Sequence, residues 1–83
     1  MSNFAYTYVL ECGDGMLYVG STSDLRRRIK EHLSGAVPAT QHRLPVDLVY
    51  YEASRSELQA PKRELQLQSG FGRSYLRRRL AKE

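Results

Sequence analysis

Along residues 4 to 12 the side chains alternate in character. Phe4, Tyr6, Tyr8, Leu10 and Cys12 share one face, and Ala5, Thr7, Val9 and Glu11 share the other, the period-two pattern of a strand. Gly13-Asp14-Gly15 is a turn signal, and Met16 to Ser21 resumes as a second strand, so the spacing predicts a β-hairpin. A glycine-flanked aspartate can also cradle a phosphate or a metal, but between two strands it reads first as a turn. Register decides which side chains meet. If Gly13 to Gly15 form a three-residue loop, Cys12 pairs with Met16 and Tyr8 faces Gly20. Tyr8 and Tyr18 then lie diagonally on one face, roughly 7–8 Å apart. A two-residue Asp-Gly turn would put them on opposite faces.

Beyond the hairpin the period lengthens to that of a helix. Ser23 or Asp24 can cap a helix running to about Ser34 and ended by Gly35, with Leu25, Ile29 and Leu33 as its apolar stripe. At about 100° per residue, His32 falls inside that stripe and Arg28 on its shoulder, while Arg27 and Glu31 point well away. Of the triplet Arg26-Arg27-Arg28, only the last is aimed at the sheet. Ala36 to Leu44 reads as a loop, and Pro45 opens a third strand over Val46 to Glu52. Ser54-x-x-Glu57 resembles a capping box for a second helix reaching toward Ser69, with Leu58, Glu64, Leu65 and Leu67 inward. Pro61 is expected to kink or delay that helix. Gly70 and Gly72 break the chain, and a short third helix follows over Arg73 to Lys82, with Tyr75, Leu76 and Leu80 inward. The predicted fold is α+β: a three-stranded antiparallel sheet flanked by helices, in the order ββαβαα.

Composition narrows the classes. At 83 residues, one domain spanning 1–83 is expected, with a core small enough that every element must share it. Lys plus Arg is 13 and Asp plus Glu is 9, a formal net charge of +4. The excess is uneven: Arg73, Arg77, Arg78, Arg79 and Lys82 face the single acid Glu83 in the last stretch. Clustered cations without a long apolar face point to nucleic acid before membrane, although a solvated basic helix has the same composition. Cys12 is the only cysteine, which excludes an intrachain disulfide and a multi-cysteine zinc site and leaves a small buried hydrophobe. No basic and apolar leader and no apolar run of about 20 residues is present, so a cytoplasmic location is expected.

The ordered motifs resemble the GIY-YIG endonuclease family. Tyr6-Thr7-Tyr8 stands where that family has Gly-Ile-Tyr, and Tyr18-Val19-Gly20 is similar to its Tyr-Ile-Gly. Asp24-Leu25-x-x-Arg28-Ile29-x-x-His32 matches its Asn-Leu-x-x-Arg helix. The run Gly35-x-Val37-x-x-Thr40-x-x-Arg43-x-Pro45-x-x-Leu48-x-Tyr50-Tyr51-Glu52 resembles the small stand-alone members. Lys62-Arg63-Glu64-x-x-Leu67 and Gly70-x-Gly72-Arg73-x-Tyr75-Leu76 extend the likeness nearly to the end. Either tyrosine motif alone is weak; the ordered set is not.

The resemblance implies hydrolysis of DNA phosphodiesters with one divalent ion, Mg²⁺ or Mn²⁺, in repair, recombination or processing. It assigns Glu64 as the metal ligand and Tyr8, Tyr18, Arg28 and His32 to catalysis. A tyrosinate would have to be stabilised by nearby cations, since a phenol ordinarily has a pKa near 10. Arg28 suits the phosphate because a guanidinium grips it at two points. Gly20 would leave room for the DNA backbone, and Thr40, His42, Arg43, Arg73 and Arg77 are candidate DNA contacts. Each has a plainer reading: strand tyrosines, a core histidine, and Glu64 paired with Lys62 or Arg63. A non-catalytic nucleic-acid-binding module with the same fold is the alternative. With no separate DNA-binding domain, specificity would come from DNA shape, a homodimer or a partner protein.

Overall fold

The structure, a computed structural model, describes residues 4–55 and 59–81. Its elements are β1 (Ala5–Cys12), β2 (Leu17–Thr22), α1 (Leu25–Leu33), β3 (Val46–Ser54), α2 (Gln59–Gln68) and α3 (Gly70–Leu80). The strands form one antiparallel sheet in the order β2-β1-β3. This is the α+β arrangement that the hydrophobic pattern predicts.

The central strand has no solvent face, because helices cover both sides of it. Tyr8, Leu10, Cys12 and Val46 pack beneath α1, joined by Tyr18, Leu25, Ile29 and Leu48. On the other side Val9 and Val19 pack against Leu67 of α2 and Leu76 of α3. Thr7, on that second face, satisfies its hydroxyl by donating to the Ala60 carbonyl at 3.0 Å. Cys12 is free and buried. Between Val9 and Leu10 the pairing with β3 slips by one residue, a bulge that keeps Leu48 under α1 and leaves Tyr50 and Glu52 facing α2 and α3.

Local chemistry sets the boundaries. Gly15 takes φ of 81°, and Asp14 accepts the Met16 amide at 2.9 Å, so the aspartate serves the turn. Cys12 and Met16 close a three-residue loop, and Tyr8 faces Gly20. Asp24 caps α1 through the Arg27 amide, and Gly35 ends it at φ of 80°.

The helices differ from the pattern-based expectation in three places. Leu33 is 56% exposed, because the arc of α1 turned to the sheet centres on Leu25, Ile29 and His32. Leu65 is 68% exposed, and the buried face of α2 instead centres on Ala60 and Leu67. Pro61 lies within α2, which continues through it to Gln68. Gly70 and Gly72 do not break the chain; they begin α3, with Ser69 as cap accepting from the Gly72 amide. The proposed capping partner Glu57, and Leu58, lie outside the described residues.

Candidate active site

Four elements converge around Gly20. The hairpin register lays the ring of Tyr8 across the Cα of Gly20: a Cβ added there would sit 2.5 Å from the Tyr8 hydroxyl oxygen. Gly20 is therefore needed by Tyr8 itself, and the space above it is not open to a DNA backbone, contrary to the sequence expectation. Tyr18 lies diagonally across the pairing, with ring centroids 6.4 Å apart.

His32 comes from α1 and completes a buried chain. Its Nε2 lies 2.8 Å from the Tyr8 hydroxyl and its Nδ1 2.8 Å from the Thr40 hydroxyl. Tyr8 is 1% exposed and His32 and Thr40 are 0% exposed, so none of the three exchanges partners with water. Thr40 thus orients the imidazole and is not available to DNA, and His32 cannot reach a phosphate. The backbone of the 36–44 loop pins Thr40 in place, its amide donating to Val37 and its carbonyl accepting from Arg43.

Electrostatics fix the resting protonation states. Burial pushes the Tyr8 pKa above the ordinary phenol value; bonding to the Arg28 guanidinium opposes this, while Tyr18 and Glu64 add to it. The expected depression of this pKa by cations is not what the surroundings produce: desolvation outweighs Arg28, and Tyr8 rests as a phenol. Burial also lowers the His32 pKa, with Arg28 adding to the effect and Glu31 opposing it. His32 is therefore neutral near pH 7, with one nitrogen donating and the other accepting.

That depression has a sign that can be measured. Below about pH 6.5 the unfolded chain binds a proton at His32 that the folded protein refuses. Stability from this group is present above that pH and is lost as pH falls toward the folded value, by up to about 1.4 kcal/mol per unit. Urea unfolding of the wild type between pH 7.5 and 5.5 is expected to show that slope, and His32→Gln to flatten it. An equal slope in both proteins would contradict the assignment.

Arg28 stands between Tyr8 and Glu31. Its Nη1 donates to Glu31 at 3.1 Å, its side chain is 38% exposed, and its pKa is raised by bonding to Tyr8 and then to Glu31. Glu31 holds both Arg27 and Arg28.

Glu64 arrives from the opposite layer. It projects from α2 around the β2 edge, accepting from the Ser21 hydroxyl at 2.7 Å and from Gln68 Nε2 at 3.1 Å. Among the described residues it has no cation within salt-bridge distance, since Arg63 is committed to Glu52. The plainer pairing with Lys62 or Arg63 therefore does not form. Its charge nonetheless reaches Tyr8. No cluster of three His, Cys, Asp or Glu side chains occurs among the described residues. A cation at Glu64 would be held by one carboxylate, water and phosphate oxygens, a donor set that suits Mg²⁺.

The outer candidates divide. Arg43 binds Asp14 at 2.9 Å, and its carbonyl accepts from Gly13, so it ties the loop to the hairpin turn. His42 is exposed beside Gln41. Arg73 and Arg77 line a groove of about 730 Å³ with Leu17, Tyr18 and Gln68. Gln68 also bonds Glu64. Ser21 escapes sequence reasoning because its role comes from a contact between elements, whereas Glu31 and Gln68 bond within their own helices at spacings of three and four residues, a signal the sequence carried.

Comparisons with known proteins show the family. The family model for the GIY-YIG catalytic domain matches residues 4–79. A UPF0213 protein of Streptococcus sanguinis is 52% identical over 58 residues, 69% of this chain and 67% of the relative. One from Streptococcus agalactiae is 49% identical over 61 residues, 72% of this chain and 69% of the relative. The solution NMR structure of a UPF0213 protein from Bacillus halodurans superposes with a TM-score of 0.56 at 38% identity, covering 88% of this chain and 81% of that one. The fold, the register that seats Tyr8 on Gly20 and these matches lead to one conclusion: the chain belongs to the GIY-YIG catalytic domain family, among its UPF0213 members.

Proposed function

We propose that this protein is a divalent-metal-dependent DNA endonuclease that hydrolyses phosphodiester bonds, acting in repair, recombination or processing. The observation that carries the reading is the sealed Tyr8–His32–Thr40 chain beside Arg28, with an uncompensated carboxylate across the β2 edge.

Each residue has a task set by its surroundings. Arg28 exchanges Glu31 and Tyr8 for a phosphate oxygen, which uncovers the Tyr8 hydroxyl and places a fixed cation where charge develops. Tyr8 accepts the proton of the attacking water as its own proton passes to His32 Nε2. That relay avoids a free tyrosinate; it leaves His32 as an imidazolium, a form that burial and Arg28 disfavour and that the negative charge developing on the attacked phosphate has to offset. Thr40 accepts Nδ1–H throughout and holds the ring in the needed tautomer. Tyr18, half-buried at the mouth, orients the water. Mg²⁺ or Mn²⁺, when bound, supplies neutralisation of the non-bridging and leaving oxygens, and Glu64 beside Ser21 would hold it. Arg73 and Arg77 line the route for the DNA backbone. Choice among DNA substrates would fall to DNA shape, a second copy of the chain or a partner protein.

Glu64→Gln, which keeps size and removes charge, is expected to abolish cleavage of linear, nicked and branched DNA in Mg²⁺ or Mn²⁺. Salt-sensitive DNA binding should survive, because it rests on Arg73 and Arg77. Binding without cleavage in the wild type as well would favour a non-catalytic nucleic-acid-binding module.

A further inference from the structure

A second polar cluster lies away from the tyrosine site, between β3, α2 and α3. Glu52 accepts from the Tyr50 hydroxyl at 2.6 Å and from Arg63 Nε and Nη2, each at 2.9 Å. Tyr50 meets the Tyr75 hydroxyl at 3.2 Å, and the guanidinium carbons of Arg63 and Arg79 lie 4.9 Å and 5.1 Å from the Tyr75 ring centroid. Glu52 and Arg63 are each 28% exposed, so the pair is largely withdrawn from water. Ion pairs removed from water in this way add little net stability compared with apolar packing; their attested use is to fix one arrangement among several.

The arrangement fixed here is the rotation of α2. Arg63 and Glu64 are consecutive, so on a helix they point about 100° apart. They flank the buried stripe of Ala60 and Leu67, Arg63 toward β3 and Glu64 toward β2. The sheet order is β2-β1-β3, which makes these two strands the opposite edges. One helix turn therefore reaches both edges, and Thr7 of the middle strand holds it at the Ala60 carbonyl. Rolling α2 to release one edge moves the side chain at the other.

We propose that Glu52 is a positioning residue for Glu64: its two-point grip on Arg63 sets the rotation of α2, and that rotation delivers the Glu64 carboxylate to Ser21. This rests on the reading of Glu64 as the metal-binding carboxylate, but the positioning and the metal role separate experimentally. The Ser21 amide and the Gln68 side-chain amide report the Glu64 end of the clamp by NMR, with no metal present. Glu52→Ala is expected to shift both resonances, although Ser21 lies on the opposite edge strand. Glu52→Gln, which keeps the shape and one acceptor, should shift them less and serves if the alanine variant fails to fold. The exchange Glu52→Arg with Arg63→Glu should bring them back toward wild type. An unmoved Ser21 resonance in a folded Glu52 variant would overturn the proposal, since a merely local role would disturb β3, α2 with its Gln68, and α3 but leave β2 unchanged.

A titration with Mn²⁺ alone, read by water-proton relaxation, tests the other half. Wild-type binding should vanish in Glu64→Gln and weaken about 10–100-fold in Glu52→Ala, the usual effect of losing a group that orients a metal ligand. If Glu64→Gln binds as well as wild type while the resonances still move, the clamp stands and the metal role of Glu64 falls. Wild-type Mn²⁺ affinity in Glu52→Ala, with binding lost in Glu64→Gln, would overturn the clamp.

Discussion

Replacing Tyr8 with phenylalanine is expected to slow DNA cleavage by about 10²–10⁴-fold, the range for losing a positioned proton-transfer group. The substitution removes one oxygen and leaves the ring, so the packing with Leu10 and Ile29 over Gly20 is kept. Two functions go with that oxygen. The water loses its proton acceptor, and His32 Nε2 loses its partner at 2.8 Å. Because His32 is 0% exposed, the orphaned nitrogen cannot turn to solvent, and about 1–3 kcal/mol of stability should go with it. Single-turnover cleavage and urea unfolding on the same protein separate the two losses. Undiminished cleavage by a well-folded Tyr8→Phe protein would remove Tyr8 from the chemistry.

The largest effect on stability is expected at Gly72. A Cβ built there would overlap the Gln66 carbonyl oxygen and the Leu67 backbone, which are main-chain atoms with no rotamer to escape into. Gly72→Ala must therefore drive the start of α3 away from the end of α2. We expect a cost of about 3 kcal/mol, the upper end for overpacking. At about 4–8 °C per kcal/mol for a domain of this size, the melting temperature should fall by more than about 10 °C. Gly70, beside which a Cβ meets nothing, is the internal comparison: Gly70→Ala should change the midpoint far less. Equal melting temperatures for the two variants would mean that α2 and α3 do not meet as closely as the structure has them. The consequence extends to the site, because α2 carries Glu64.

Two of the departures in the helices, at Leu33 and Leu65, share one cause. Periodicity assigns a face to a helix but not its angle to the sheet, and an error of about one residue's rotation turns Leu33 or Leu65 from buried to exposed. Thr40 was open to misreading for a related reason. In sequence it is a polar residue in a loop, the usual profile of a ligand contact, and only the folded loop shows it bonded to a buried histidine. Gly20 and Gly72 look alike as glycines that admit close approach. What approaches them, a tyrosine ring in one case and a helix backbone in the other, depends on packing across the chain.

The sequence by itself determined the strand and helix order and the two hairpin registers open to it, of which the structure takes the three-residue loop that places Tyr8 and Tyr18 diagonally. These follow from local rules: side chains alternate along a strand, and turn residues set register. The tertiary structure alone decided that Tyr8 rests protonated, that His32 is sealed between Tyr8 and Thr40, and that Glu64 reaches the site from the opposite layer. Those are questions of desolvation and of which distant groups share a space. An 83-residue chain resolves them only when its helices close over both faces of the sheet.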